Sequence, residues 1–307
     1  MKLIANKTAF GRHETFFCRL GWLTKGFWKA NEFSQNSDLD FFRQEEAVVS
    51  LGAGKNMVSS IKYWLQATKL FESTKEGLKP TELGTCLMGT EKEEGWDAYL
   101  EDKNTLWLIH WLVASNAELA TTPFWFFNFY HKSNFTQEEL KTAISDFAKE
   151  NIDTKISTAT LKNDVSVLTR MYAKSQLDKK TAIEDTLDSP LVELNLIQSK
   201  LNKEFSSQIK HRDISPYIIG FALCELFNFK SATSLSVEEL VYSRELSVAI
   251  GAVFRLPENS ALAHIERAID SIPGNFEIRE TAGVHQVYKV NELNSLDYLR
   301  AYYEGDK

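Results

Sequence analysis

The tripeptide Gly52-Ala53-Gly54 stands between two stretches of helical periodicity, and no other feature of the 307-residue chain constrains the fold as tightly. Residues 38–52 offer Asp38 or Asp40 as an N-cap, early glutamates, apolar Phe42, Ala47, Val48 and Leu51, and a stop at Gly52. A second helix begins at Lys55, with Met57, Ile61, Trp64, Leu65 and Thr68 along one face. Helix, glycine turn, helix is the order of a helix-turn-helix, whose second helix enters the major groove. The opposite face carries Asn56, Ser59, Ser60, Lys62 and Tyr63, polar groups of the kind that read base edges. Lys55, at the helix start, is placed to meet a phosphate. Leu70, Phe71 and Leu78 then flank a Lys75-Glu76-Gly77 turn that reads as a hairpin wing, and a short helix begins at Thr81.

The same glycines invite comparison with a nucleotide-binding phosphate loop. That loop requires G-x-x-x-x-G-K-[ST]. Here Val49 occupies the first glycine position and Asn56 follows Lys55, so the pattern fails twice.

Along the rest of the chain, residues 1–35 read as a short strand or loop with turns at Gly21 and near Gly26. Residues 100–133 are dense in aromatics. Trp107, Trp111, Phe124 and Phe127 suit a buried helical hairpin better than stacking platforms for bases, since few cations lie nearby. His110 and His131 read as packed or surface residues rather than ligands. Thr136 and Glu139 make a capping box for a helix reaching about Lys149. The next helix has an apolar stripe of Leu161, Val165, Leu168 and Tyr172, with Lys162, Asn163, Ser166 and Arg170 facing away. This second helix-turn-helix pattern suits a DNA reader or a structural three-helix unit.

Residues 176–190 read as a polar linker. The last third holds an apolar helix at 214–229, a Ser236/Glu239 capping box, a helix at 259–272 and a hairpin at 274–290 turning at Thr281-Ala282-Gly283. The hairpin presents Arg279, His285, Gln286 and Lys289 as a wing, with Glu280–Gly283 as groove contact or ordinary turn. The expected fold is mainly α with small β-hairpin wings. Tandem winged helix-turn-helix-like domains at 1–100 and 191–307 would be joined by a helical middle region at 101–190.

The net charge of −7 excludes coating DNA through bulk charge, so any nucleic-acid contact needs a local basic patch. Residues 1–30 set six basic side chains against Glu14 alone and 91–102 set six carboxylates against Lys92, which fits one binding face and one repelling face or an ordinary scatter of charge. The three cysteines form no C-x-x-C pair, which argues against a zinc ribbon or disulfide framework and suits a reducing cytoplasm. Nothing resembles a signal peptide or approaches the roughly 20 apolar residues that span a bilayer. No membrane partner is expected.

Five segments carry a resemblance: residues 10–16, 21–27, 51–64, 160–172 and 280–290. In this order they resemble a bacterial family first described only as a domain of unknown function, whose members accompany DNA phosphorothioation genes. These are the SspB-like DNA-nicking subunits of single-strand phosphorothioation (Ssp) systems. The resemblance spans nearly the whole chain, and its first and third segments are the specific ones. It implies an enzyme that binds duplex DNA and cuts one strand with a divalent metal, Mg²⁺ or Mn²⁺, so that sulfur can enter the backbone. It also implies partners: a cysteine desulfurase, an ATP-pyrophosphatase-like sulfur-inserting enzyme and an ATPase.

Phosphodiester hydrolysis needs a group to activate water and charge to neutralise the phosphate. Arg12-His13-Glu14 supplies a phosphate clamp, a general acid or base, and a metal ligand or base. Arg19 and Lys25 would hold the backbone nearby. In an extended segment Arg12 and Glu14 share one face and His13 the other, so a turn near Gly11 is required to bring them together. A structural ion pair between Glu14 and an arginine beside a packed histidine is the competing explanation. Asp38, Asp40, Glu45 and Glu46 read as a solvated helix start rather than a metal cluster. A non-catalytic winged-helix protein that positions modification enzymes or regulates transcription, and a scaffold binding only protein, are the other readings.

Overall fold

The Gly52 turn forms as its sequence requires. A computed structural model describes residues 1–307 except 36, 38, 76, 91, 176–188, 282–283, 293 and 306–307. Asp38, Glu76, Glu91, most of the expected linker and the Ala282-Gly283 wing tip therefore lie outside the described residues. Two compact units are present, one of Ile4–Pro123 with Lys132–Ser207, the other of Met1–Leu3, Phe124–His131 and Gln208–Lys307. These units are assembled from non-consecutive segments and do not follow boundaries at 100 and 190.

The first unit opens with α1 (Trp22–Ser34), a 3-10 turn at Phe41–Arg43, α2 (Glu45–Leu51) and α3 (Lys55–Ala67). Gly52 sits at φ 59°, ψ 38°, and its N–H reaches Val49 O while the Ala53 N–H reaches Val48 O. This is the doubly bonded left-handed helix stop that favours glycine. Gly21, at φ 79°, starts α1 and makes the expected turn. Gly26 makes no turn. It lies inside α1, and a Cβ there would stand 2.5 Å from Ile61 Cγ2, so its missing side chain lets α1 and α3 pack closely.

β1 (Phe71–Thr74) and β2 (Gly77–Pro80) form an antiparallel hairpin, followed by α4 (Glu82–Met88), which is capped by Thr81. α5 (Lys103–Ala114) leads to α6 (Thr121–Phe129), whose residues from Phe124 onward belong to the second unit. Trp107, Trp111, Phe124 and Phe127 are all buried, which excludes base stacking. His110 is buried and hydrogen-bonds Tyr172 through Nδ1 at 2.9 Å.

The first unit closes with β3 (Asn134–Thr136), α7 (Gln137–Asn151), α8 (Thr158–Tyr172), a 3-10 turn at Pro190–Leu194, β4 (Gln198–Ser199) and β5 (Glu204–Ser206). In the second unit come α9 (Pro216–Lys230), β6 (Ser234–Ser236), α10 (Val237–Val241), α11 (Ile250–Val253), α12 (Glu258–Ser271), β7 (Phe276–Thr281), β8 (Val284–Lys289) and α13 (Ser295–Tyr303). Both capping boxes form as expected.

These two stretches share a plan: a strand, helices, then two strands. Both sheets are antiparallel with the third strand central, in the orders β3-β5-β4 and β6-β8-β7. The plan starts in each case from one motif, Phe135-Thr136-x-Glu138-Glu139-Leu140 and Leu235-Ser236-x-Glu238-Glu239-Leu240. The chain is thus mainly helical with small antiparallel sheets. Among the described residues, no helix is long and apolar enough to cross a membrane.

Candidate nucleic-acid interface

The loop from Gly11 to Phe16 is built around a left-handed turn. Gly11 (φ 70°), Glu14 (φ 50°) and Thr15 (φ 66°) all have positive φ, and Glu14 N and Phe16 N reach back to Gly11 O and His13 O. The two non-glycine residues hold this uncommon backbone because the surroundings clamp it. From α8, the buried Asp164 carboxylate accepts from Gly11 N (2.9 Å), His13 Nε2 (3.0 Å) and Thr122 Oγ1 (2.8 Å). From α3, Trp64 Nε1 donates to Phe16 O at 3.1 Å. Upstream, the Ala9 N–H donates to Thr121 Oγ1. A carboxylate buried to 3% exposure is stable only when its acceptor sites are filled, and here three donors fill them.

This arrangement separates the three residues expected to act together. His13 is 5% exposed and lies between Trp64, stacked at 6.5 Å, and Tyr63, edge-on at 6.1 Å. Its Nδ1 accepts from the Thr15 N–H at 3.1 Å, so the ring proton assigned from the hydrogen bonds sits on Nε2 and is donated to Asp164. Both nitrogens are occupied. The geometry therefore corrects His13 from acid or base to the pin that holds the loop. Arg12 and Glu14 are exposed, and among the described residues neither side chain has a hydrogen bond or ion pair. The expected alternative, an ion pair between Glu14 and an arginine, is absent there too.

Arg12 and Glu14 open onto a cleft of about 610 Å³, whose wall includes Ser59, Lys62, Tyr63 and Gln66 of α3 together with Lys7, Arg43 and Glu118. Its lining carries Lys7, Arg12, Arg43 and Lys62 against Glu14 and Glu118, a cationic excess on an acidic protein. Lys62 is paired with Asp40, which also meets Arg43 at 3.4 Å and caps the Phe41–Arg43 turn. The Lys7–Glu118 pair, 3.7 Å apart with both side chains about half exposed, is solvated and readily exchanged for a ligand.

The remaining expected contacts divide. Ser59 is exposed at the cleft, but Ser60 is buried. Tyr63 donates its hydroxyl to Leu119 O at 2.8 Å, and burial, then the Asp164 carboxylate, push its pKa above the usual phenol value against the opposing effect of Arg12. It is a structural residue rather than a base reader. Lys25 Nζ caps the C-terminus of α2 through Leu51 O at 3.0 Å. Lys55 and Asn56 are exposed at the start of α3 and do not line the cleft. Arg19 lies over the rings of Phe16, Phe17 and Trp22 at 5.4 to 5.8 Å.

Arg279, His285 and Gln286 belong to the second unit. There Arg279 pairs with Glu277 and covers the Tyr288 ring, Gln286 Oε1 accepts from Tyr288, and His285 faces Glu280 across the ladder. Sequence reasoning missed Lys7, Arg43 and Glu118 as cleft residues, and Asp164 as the anchor. A signal for Asp164 existed: it sits among Leu161, Val165 and Leu168 on the apolar stripe of α8, where a carboxylate must have partners.

Among the described residues no group of three or more His, Cys, Asp or Glu side chains could cage a metal. Asp40 is engaged with Lys62 and Arg43, and Glu45 and Glu46 lie in the first turn of α2, so they form no centre. Glu14, free in the cleft with Glu118 on the same lining, fits a looser requirement. Mg²⁺ is commonly held by one or two carboxylates, with water and substrate phosphate completing its shell. All three cysteines are free, and burial pushes the Cys18 thiol up to about 12.

The sequence model of a family described as protein of unknown function, DUF4007, matches residues 10–303. The crystal structure of magnesium ion-bound SspB is similar over 98% of this chain and 89% of that one, with a TM-score of 0.83 and 26% identity. A second SspB crystal structure has the same coverage and identity and a TM-score of 0.81. No curated protein matches.

Proposed function

The chain belongs to the DUF4007 family, and we propose that it is the DNA-binding subunit of a single-strand phosphorothioation system, nicking one strand so that sulfur can enter the backbone. The similarity to SspB supports the choice of system, and the magnesium ion bound by that protein supports Mg²⁺ as the metal, with Mn²⁺ able to replace it. The single observation that carries the reading is the cationic cleft where unpaired Arg12 and Glu14 stand opposite the α3 face. In this reading the first three helices with the β1–β2 hairpin, and the two strand–helix–strand plans that follow, are winged-helix modules.

The cleft takes the sugar–phosphate chain of one strand. Arg12 meets a non-bridging phosphate oxygen with its planar fork, while Lys7 and Lys62 add positive potential and the Ser59 hydroxyl donates to the backbone. Glu14 would hold the Mg²⁺. When bound, the ion supplies charge neutralisation and activation of water. His13 and Asp164 hold the backbone of the loop that presents Arg12 and Glu14. The natural partners are a cysteine desulfurase, an ATP-pyrophosphatase-like enzyme and an ATPase, in the cytoplasm.

One observation favours a non-catalytic reading, in which the protein positions the modification enzymes or regulates transcription. Sealing His13 from the cleft removes the most obvious acid or base. Supercoiled plasmid incubated with the protein and Mg²⁺ separates the two. Open circles that Glu14→Gln abolishes support nicking, and plasmid that is bound but intact under Mg²⁺ and Mn²⁺ assigns the cut to a partner.

A further inference from the structure

We propose that the β4–β5 loop and the C-terminal half of α8 form a second contact for the phosphates of duplex DNA, separate from the Arg12 cleft. The proposal rests on the DNA-binding reading above.

A pocket of about 270 Å³ opens between these elements, and Arg170, Lys174, Lys200 and Lys203 on its lining face one carboxylate, Glu204. Two of these cations have their charged groups held in place. The Arg170 guanidinium lies 4.7 Å over the buried Phe17 ring. Lys200 Nζ is 2.6 Å from Asn134 Oδ1, and the Lys174 carbonyl accepts from the Ser199 hydroxyl at 3.2 Å. The loop tip is shaped by Asn202 (φ 59°) and Lys203 (φ 60°) and closed by Lys200 N to Glu204 O at 2.7 Å. At that tip Leu201 is 84% exposed.

The second strand–helix–strand stretch acts as an internal control for charge. It has the same sheet order and opening motif, yet the exposed residues of α12 include Glu258, Glu266 and Asp270 beside Arg267. The exposed positions of α8 instead include Lys162 and Asn163. The excess of cations on the pocket lining fits a phosphate chain.

The spacing also suits duplex DNA. The Arg12 loop touches α8 at Asp164 and lies against Thr160, where a Cβ on Gly11 would be 3.1 Å from Thr160 Cγ2. Arg170 follows six residues after Asp164 and ten after Thr160, roughly 9 to 15 Å along the helix axis. Two contacts that far apart can meet phosphates on either side of one groove, whose width is about 12 Å on the major side.

Fluorescence anisotropy of the full chain with a 30-base-pair duplex, across a salt series, tests this. Lys200→Gln with Lys203→Gln should weaken binding about tenfold and make the slope of log affinity against log salt shallower by about 2. Lys174→Gln with Lys203→Gln, which leaves the Lys200–Asn134 bond intact, should do the same, while Arg267→Gln in α12 should change neither quantity. If Arg12→Ala lowers the slope by about 1 but both lysine pairs leave it unchanged, the second contact is overturned and those cations belong to an acidic protein surface instead. If the unaltered protein has no salt-dependent affinity for DNA, both this contact and the function above fall.

Discussion

His13 Nε2 lies 3.0 Å from Asp164 Oδ1, joining two residues 151 positions apart and fixing the loop that presents Arg12 and Glu14. The carboxylate also holds the Gly11 N–H and the Thr122 hydroxyl, so one side chain of α8 organises the entry to the cleft.

Asp164→Ala should therefore be costly. Removing it leaves the buried His13 and Thr122 donors and the part-buried Gly11 N–H without an acceptor, a loss of about 3–5 kcal/mol. Asp164→Asn keeps one acceptor oxygen and should lose less. Urea unfolding measures both, and equal stability of Asp164→Ala and the unaltered protein would mean that the network contributes nothing.

Tyr63→Phe should separate packing from recognition. The lost hydroxyl leaves Leu119 O without its donor, a penalty of about 1–2 kcal/mol. DNA affinity should be unaltered, because the hydroxyl is engaged inside the protein. A selective loss of affinity without loss of stability would restore Tyr63 as a contact.

What could be read from the sequence was what is set by neighbours in the chain. Gly52 needed a left-handed backbone, and Thr136 with Glu139 and Ser236 with Glu239 cap their helices within four residues. The hairpins at Phe71–Pro80 and Phe276–Lys289 followed from turn residues between apolar runs. Gly26 was misread as a turn because its purpose, close approach to Ile61, lies on another helix. β4 and β5 are two and three residues long, too short for any alternation to register. Arg12 and Glu14 were recognised by residue type, but the removal of His13 from their company depended on Asp164, and spacing carries no trace of that bond.

Thiol reactivity should report the core. Burial raises the Cys18 thiol to about 12, and burial with nearby carboxylates raises Cys224 to about 12. At pH 8 iodoacetamide should modify half-exposed Cys86 first and reach the other two only on unfolding. Because the folded thiols hold their protons more tightly, their contribution is complete below the unfolded thiol value of about 8.5 and is lost as pH rises toward about 12. Mass spectrometry of alkylated peptides checks the order, and rapid labelling of Cys18 in the native protein would contradict it.

Arg12→Ala should weaken duplex binding and lower its salt slope by about 1, since it removes one phosphate contact. Stability should hold within about 0.5 kcal/mol, as the side chain is exposed and has no partner among the described residues. A stability loss with unaltered affinity would place Arg12 in the scaffold.

The most direct test is the conversion of supercoiled plasmid to open circles by the purified protein in Mg²⁺, compared with Glu14→Gln at equal DNA occupancy. The account predicts open circles from the unaltered protein, none from Glu14→Gln, and none from either in excess EDTA. Nicking that persists at the same rate in Glu14→Gln, or DNA that is bound and never cut, would contradict it.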